Sequence, residues 1–447
     1  MIFLLLSLVL IFIASTLLLE EESIFVKIAV AISAFLGFLG LVPFVLREYL
    51  GINYSHSSFE MFIFSLSLAA CLMIYKRKYF PKIINKKLLK RPSAIIILIS
   101  VFLGIALLKG YFMTVRGWDA YAMYDARAKF FLDGISLKGV GIFSPYDYSN
   151  QYYYLSYPPM TSVIHTVLYS SGFASPMITY GLFYSALFLF CFDYFKRARI
   201  KALYKLIFFL AVVLSPHIFG HLGIAYTNLP TTSFQLGALV LLLRFIKTDK
   251  LKYLLLSGLF IAFFRWIRFA EPVYWLFILT LAFSLIMKKL KLKKIIFYVI
   301  LYVALTFSVK VLWQPYLDLV NKFSDWTPTN YLIIDDLIKI KINDVIEIIR
   351  FVSKSLAPLS HYFLISLTAL LLALYRRVKL RVNDVALLVF LILFGGMVVA
   401  GTFIFSVTRD FWKELSFSLL RSSTLLIPVT MFFSVSLLER MSKRNGK

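Results

Sequence analysis

Only two cysteines, Cys71 and Cys191, occur in 447 residues, and both lie inside apolar runs. That argues against a disulfide framework and against a cysteine-based metal site, and it makes both of them packing residues. Charge is scarce as well: 16% of residues are charged, against 61% hydrophobic and 17% aromatic, more apolar material than a soluble core requires. Acid is the scarcer sign, with 22 Asp and Glu against 48 Lys and Arg and a net charge of +26. Nucleic-acid-binding proteins share such a balance, but here the basic residues fall in short clusters between apolar runs, where membrane topology places them. No nucleic acid partner is expected. The first apolar run, Ile2 to Leu19, has no basic residue before it and is followed by Glu20-Glu21-Glu22 rather than a small-residue cleavage site, so it reads as a retained span and not a signal peptide. No soluble domain and no internal repeat is visible.

What the chain does have is a series of apolar runs near the length that crosses a bilayer. They cover approximately 2–19, 24–46, 59–75, 94–113, 176–195, 205–219, 229–247, 252–270, 272–287, 295–313, 356–375, 384–405 and 421–438. The expectation is an all-α polytopic membrane protein of about thirteen helices. The clusters at 76–91, 196–205, 247–252, 288–294, 376–381 and 440–447 all land on one side if the stretch Pro158 to Gly172 does not cross, and the positive-inside rule makes that side the cytoplasm of a multi-pass plasma-membrane protein. Pro158 to Gly172 is then a juxtamembrane or re-entrant helix. The opposite, extracytoplasmic side receives loops 114–175 and 314–355, and any active site should face that way. Within the second loop, Asp335 to Lys354 mixes apolar and charged residues as a helix lying on the membrane surface does. Residues 1–93 form a three-span addition ending in a basic linker, 94–438 a transmembrane core, and 439–447 a cytoplasmic tail.

Charge near membrane depth marks function, and its densest instance is Trp118-Asp119 through Asp125, Arg127 and Lys129, just past the fourth span. Asp119 is a candidate general base or the cap of a helix beginning at Ala120. Asp125 is a second acidic candidate, about 240° away around an α-helix, and it also stands four residues from Lys129, where the two can pair. Arg127 and Lys129 are candidates to hold phosphate or to anchor at the interface. Tyr157 closes a tyrosine-rich stretch ahead of Pro158-Pro159, suited to stacking on a sugar ring or to an aromatic belt. His165 reads as packing, and His217 with His221 makes too weak a set for a metal site. Arg265, Arg268 and Glu271 share one helix face, as a substrate clamp or an internal pair. Arg409 and Arg421 approach the last span from outside, where a guanidinium can hold phosphate or snorkel.

Several of these segments together resemble the GT-C superfamily of multi-span glycosyltransferases, which use polyprenyl-phosphate-linked sugars. The stretch from Trp118-Asp119-Ala120-Tyr121 to Arg127-Ala128-Lys129 and Gly134 is similar to the superfamily's first outer loop. Tyr157-Pro158-Pro159-Met160 resembles its Tyr-Pro-Pro turn into a juxtamembrane helix. Tyr226-Thr227-Asn228-Leu229-Pro230 resembles a Tyr-Ala-Asp-Leu-Pro element, with Asn228 in place of the acid. Arg268-Phe269-Ala270-Glu271 is similar to a basic-x-x-acid element, and Arg421 to Pro428 to a late Arg and Pro. The resemblance covers roughly residues 94–438 in the same order.

It implies a GT-C-like fold and an inverting transfer of a hexose or pentose from a polyprenyl-phosphate donor to an acceptor hydroxyl. Asp119 would be the catalytic base; Asp125 stays a second catalytic candidate, though the two do not share a helix face and make no obvious acid/base pair. Arg127, Lys129, Tyr157, Arg268, Glu271, Arg409 and Arg421 would serve substrate or phosphate, and the acceptor would be a lipid, a glycan or a protein. No cofactor is required, although some members depend on a divalent metal. Two rivals share the membrane signature: a transporter or lipid flippase, which favours midplane sites and repeats, and a polysaccharide polymerase or ligase working on lipid pyrophosphate.

Overall fold

The computed structural model describes residues 1–76, 94–117, 120–135, 158–268, 271–323, 342–408 and 416–444. Among them the regular elements are helical, with no strand. Three helices come first: α1 (Ile2–Leu18), α2 (Ile24–Leu50) and α3 (Ser57–Tyr75). The Ser23 hydroxyl caps α2 by accepting from the Val26 amide at 3.4 Å, and Gly51, in the left-handed region, ends it. Next come α4 (Ala94–Phe112), α5 (Ala126–Leu132), α6 (Met160–Ser170), α7 (Ile178–Arg197), α8 (Ala202–Val213), α9 (Asn228–Thr248), α10 (Leu251–Ile267), α11 (Glu271–Met287) and α12 (Leu292–Phe323). The series closes with α13 (Ile342–Leu356), α14 (Ser360–Tyr375), α15 (Val382–Thr408), α16 (Ser416–Ser422) and α17 (Leu426–Arg444).

Seven of the described helices are long and apolar enough to cross a bilayer, or eight if a bent pair forms one span. The chain is a multi-pass, all-helical membrane protein. Its helices sort by what they bury. The apolar stretch of α9 is 94% buried, and those of α7 and α2 are 78% and 72% buried, whereas those of α3 and α12 are only 22% and 17% buried. A core of α2, α7 and α9 is thus ringed by helices that turn leucine, isoleucine and phenylalanine outward, as contact with lipid requires. Close approach inside the bundle uses small residues: a Cβ on Gly181 of α7 would lie 2.9 Å from the Ala106 carbonyl oxygen of α4, and one on Gly110 of α4 would lie 2.8 Å from that of Met177. The first three helices are interlocked with the rest. The Trp266 indole of α10 donates to the Gly40 carbonyl of α2 at 3.0 Å and meets Phe44 edge-on.

The bundle has two chemically different ends. At one, the Glu20–Ser23 turn meets the ends of α3, α7, α9 and α10 through Lys76, Arg197, Arg244 and Lys250. Lys288 reaches Asp249, and the Ser442 hydroxyl donates to the Arg199 carbonyl. The basic clusters therefore gather at this end. At the other end the Met1 amino group reaches the Ser171 carbonyl, Arg47 donates to the Gly134 carbonyl, and the Tyr49 hydroxyl donates to the Leu312 carbonyl.

Three local expectations change. The run at 205–219 is broken: α8 stops before Pro216, whose ring cannot continue a helix, and Pro216–Gly223 departs from it by 42°. The amphipathic α13 does not lie apart as a surface helix, because Val345–Tyr375 passes through Ala357–Leu359 into α14 as one 31-residue candidate span. A π-helical turn, not an α-helix, occupies Ala120–Asp125. The Pro158 to Gly172 stretch contains α6, eleven residues long, which at 1.5 Å per residue is about 16 Å and too short to cross.

Candidate functional site

The chain leaves α4 at Phe112 and runs beside the turn that precedes α9, where the Ala225 amide donates to the Arg116 carbonyl. Gly117 follows with φ +101, and a Cβ there would lie 2.8 Å from the Tyr226 ring. Glycine is required twice over, by conformation and by that close approach. Residues 118–119, and with them the candidate base Asp119, lie outside the described residues. Ala120 is fully buried and opens the π-turn, a wide coil common at functional positions. The Tyr226 ring also carries Arg421, whose guanidinium carbon is 4.6 Å from the ring centroid, within cation–π range. Next to Arg421, the Thr424 hydroxyl shares a 2.7 Å hydrogen bond with that of Thr232 on α9. Three distant parts of the sequence thus converge on one tyrosine, at the end of the bundle away from the basic clusters.

The π-turn delivers Asp125 into the bundle, 2% exposed. The Tyr169 hydroxyl donates to its Oδ1 at 2.6 Å, the Lys129 ammonium is 3.2 Å from Oδ2, and His165 Nδ1 is 3.5 Å from Oδ1. Burial alone would raise this carboxyl, but the His165 ring, the Tyr169 hydroxyl and Lys129 outweigh it and hold it down at about 2. Burial lowers the His165 imidazole below its usual value despite the neighbouring carboxylate. At neutral pH the Asp125 carboxylate therefore lies beside a neutral His165, whose Nε2 is 3.4 Å from the Tyr180 hydroxyl. That carboxylate is committed to ligands from α6 and α5, which is a positioning arrangement.

Arg127 faces inward, 3% exposed. Its Nε donates to the Ser162 hydroxyl at 2.8 Å and its Nη2 to the Pro158 carbonyl at 3.1 Å. Burial pulls its pKa down to about 10, so it stays charged at neutral pH. Thr166 adds a hydrogen bond to the Ala128 carbonyl, and Tyr54 stacks on Phe131. Arg127 thus staples α5 to the start of α6, whereas Lys129, with 63% of its side chain exposed, remains at the surface. Arg268 closes α10, its amide bonded to the Phe264 carbonyl. Tyr157, Arg409 and the side chain of Glu271 lie outside the described residues.

Arg265, one turn earlier than Arg268, points into the bundle. Its guanidinium lies 4.3 Å from the Tyr274 ring and 4.2 Å from the Phe307 ring and donates to the Tyr274 hydroxyl. His165, read from sequence as a packing residue, and Tyr169, which sequence reasoning did not single out, are the neighbours of Asp125 on α6. Their i, i+4 spacing on α6 was a usable signal, but the partner carboxylate is 40 positions earlier in the chain. Among the described residues, no three His, Cys, Asp or Glu side chains come together as metal ligands. The chain matches no known family, no curated protein and no solved structure.

Proposed function

We propose that this protein is a membrane glycosyltransferase of the GT-C type, moving a sugar from a polyprenyl-phosphate donor to an acceptor hydroxyl at the end of the bundle away from its basic clusters. The observation that carries the reading is the shared Tyr226 ring: Gly117, two residues before Asp119, backs onto it, and the Arg421 guanidinium lies over it. A general base together with a guanidinium is the pairing that base-assisted attack with phosphate departure requires, and Asp119 follows Gly117 by two residues in the sequence. In this reading Asp119 takes the proton of the acceptor hydroxyl as its oxygen attacks the anomeric carbon. The bond to the phosphate oxygen breaks, the configuration inverts, and the polyprenyl phosphate leaves with its charge met by Arg421, with Lys129, Arg268 and Arg409 as further cations. Asp125 and Arg127 hold α5 on α6 and so position the turn.

The short α6, at about 16 Å too short to cross, supports this layout. The basic pole is then cytoplasmic under the positive-inside rule, and the acceptor is a lipid, a glycan or a protein reached from outside. The test is transfer of labelled sugar from a polyprenyl monophosphate donor by purified protein in vesicles. Wild type should transfer and Asp119→Asn should lose about a thousandfold or more, in line with removal of a general base, at unchanged expression. Wild-type turnover in Asp119→Asn would refute the base assignment, and donor-independent lipid movement would favour a flippase.

A further inference from the structure

The basic pole contains a feature that charge topology alone does not call for. A cavity of about 1020 Å³ opens between the ends of α7, α9, α15 and α17, a volume at the upper end of what small-molecule sites enclose. Eight Lys or Arg side chains and four carboxylates line it. Three of the carboxylates are already neutralised. Glu22 accepts from Arg197 at 2.7 Å, from the Tyr253 hydroxyl at 2.6 Å and from Arg244. Asp193 takes Arg197 at 2.8 Å, Arg244 at 2.6 Å and the Ser23 hydroxyl. Glu21 takes Lys250 at 2.9 Å and Lys252 at 2.6 Å, and these ammonium groups, against the opposing effect of burial, hold its carboxyl down at about 2.

Once these pairs are matched, Arg199, Lys247 and Arg381 are left around the cavity with no carboxylate partner for their side chains among the described residues. Arg440, which also lines the cavity, is tied by its Nε to Asp384 at 3.2 Å. Cations left without a carboxylate around one cavity suit a tetrahedral oxyanion, which accepts charge-assisted hydrogen bonds from several donors at once. Between the cations the wall is apolar, formed by Val240, Leu243, Ile246, Val382 and Val435.

We infer that this cavity is a binding site for a phosphate-bearing amphiphile, its phosphate held by Arg199, Lys247 and Arg381 and its hydrocarbon against the apolar wall. Basic pockets between helix ends on one leaflet suit anionic lipid headgroups. The site is at the opposite pole from the Tyr226 convergence and does not depend on the glycosyltransferase reading.

The test uses full-length protein in phosphatidylcholine nanodiscs titrated with phosphatidylglycerol, with bound lipid counted by native mass spectrometry. The variant R199Q/K247Q/R381Q removes three exposed, unpaired charges. K201Q/K291Q/K293Q removes three exposed lysines of the same pole that do not line the cavity. Wild type and the lysine control should retain phosphatidylglycerol alike, and the cavity variant should bind about tenfold more weakly, about 1.4 kcal/mol. Inorganic phosphate added at millimolar levels should displace the lipid. Protection of the protein by inorganic phosphate, lost in the cavity variant but without lipid retention, would keep the phosphate seat and assign it to a soluble ligand. Equal loss in both variants, or no wild-type preference for phosphatidylglycerol over phosphatidylcholine, would overturn the site.

Discussion

Replacing Asp125 by asparagine isolates what the buried network contributes to stability. In the native protein the carboxyl is held at about 2, down from 3.8, and at about 1.4 kcal/mol per pKa unit that amounts to about 2 kcal/mol of stabilisation of the folded state. The figure agrees with the contacts. A hydrogen bond from Tyr169 to a charged acceptor contributes about 1.5–3 kcal/mol, and the exposed Lys129 adds at most about 1 kcal/mol. Because the folded pKa is depressed, the contribution is complete above pH 4, is lost as the pH falls from about 4 to about 2, and is absent once the carboxyl is protonated in both states.

Denaturant unfolding in mixed micelles, followed by tryptophan fluorescence, should therefore give Asp125→Asn a deficit of about 2 kcal/mol at pH 7 that closes as the pH approaches 2. A double-mutant cycle with Tyr169→Phe should return a coupling of about 1–2 kcal/mol. Equal stability of Asp125→Asn and wild type at pH 7, or a deficit that does not change with pH, would refute the idea that the carboxylate is held by these ligands.

Arg244→Ala should destabilise by about 3–5 kcal/mol, because it strips a shared guanidinium from two carboxylates that are 5% and 1% exposed; Arg244→Lys should restore less than half, since one ammonium cannot serve both, and the same unfolding assay reads both. Gly117→Ala should lower stability by about 1–2 kcal/mol through its positive φ and, by displacing the Tyr226 ring, reduce sugar transfer more than it reduces folded yield. A Gly117→Ala protein with wild-type turnover would detach that ring from the chemistry.

The helical class and the convergence of the basic clusters at one pole were legible in the sequence because both depend on residue type and spacing along the chain, and Lys76, Arg197, Lys250 and Arg440 meet at the expected end. The non-crossing α6 followed from the same charge count. What escaped were properties set by three-dimensional neighbours. Arg127 and Lys129 look equivalent on paper, yet a two-residue offset turns one inward to Ser162 and leaves the other exposed. Asp125 and His165 are joined only after α5 and α6 pack. The break ahead of Pro216 was signalled by proline itself, but its effect was masked by apolar residues on both sides. Asp119, Tyr157 and Arg409, which carry much of the catalytic proposal, fall outside the described residues, so their assignment still stands on sequence.

The acidic turn after α1 has a consequence for how the protein is made. Glu22 meets Arg197 and Arg244, which lie 175 and 222 residues further along the chain. Chains emerge and insert from the N-terminus, so the α1–α2 hairpin enters the bilayer well before the arginines that will neutralise it exist. Until α9 and the start of α10 are synthesised, Glu22 lacks Arg244 and Glu21 lacks Lys250 and Lys252, on the side where later segments bring their positive charge. Completion of α9 is then the step that commits the nascent bundle, and a ribosome-tethered chain ending before Arg244 should be a target for membrane quality control where one ending after Lys252 is not.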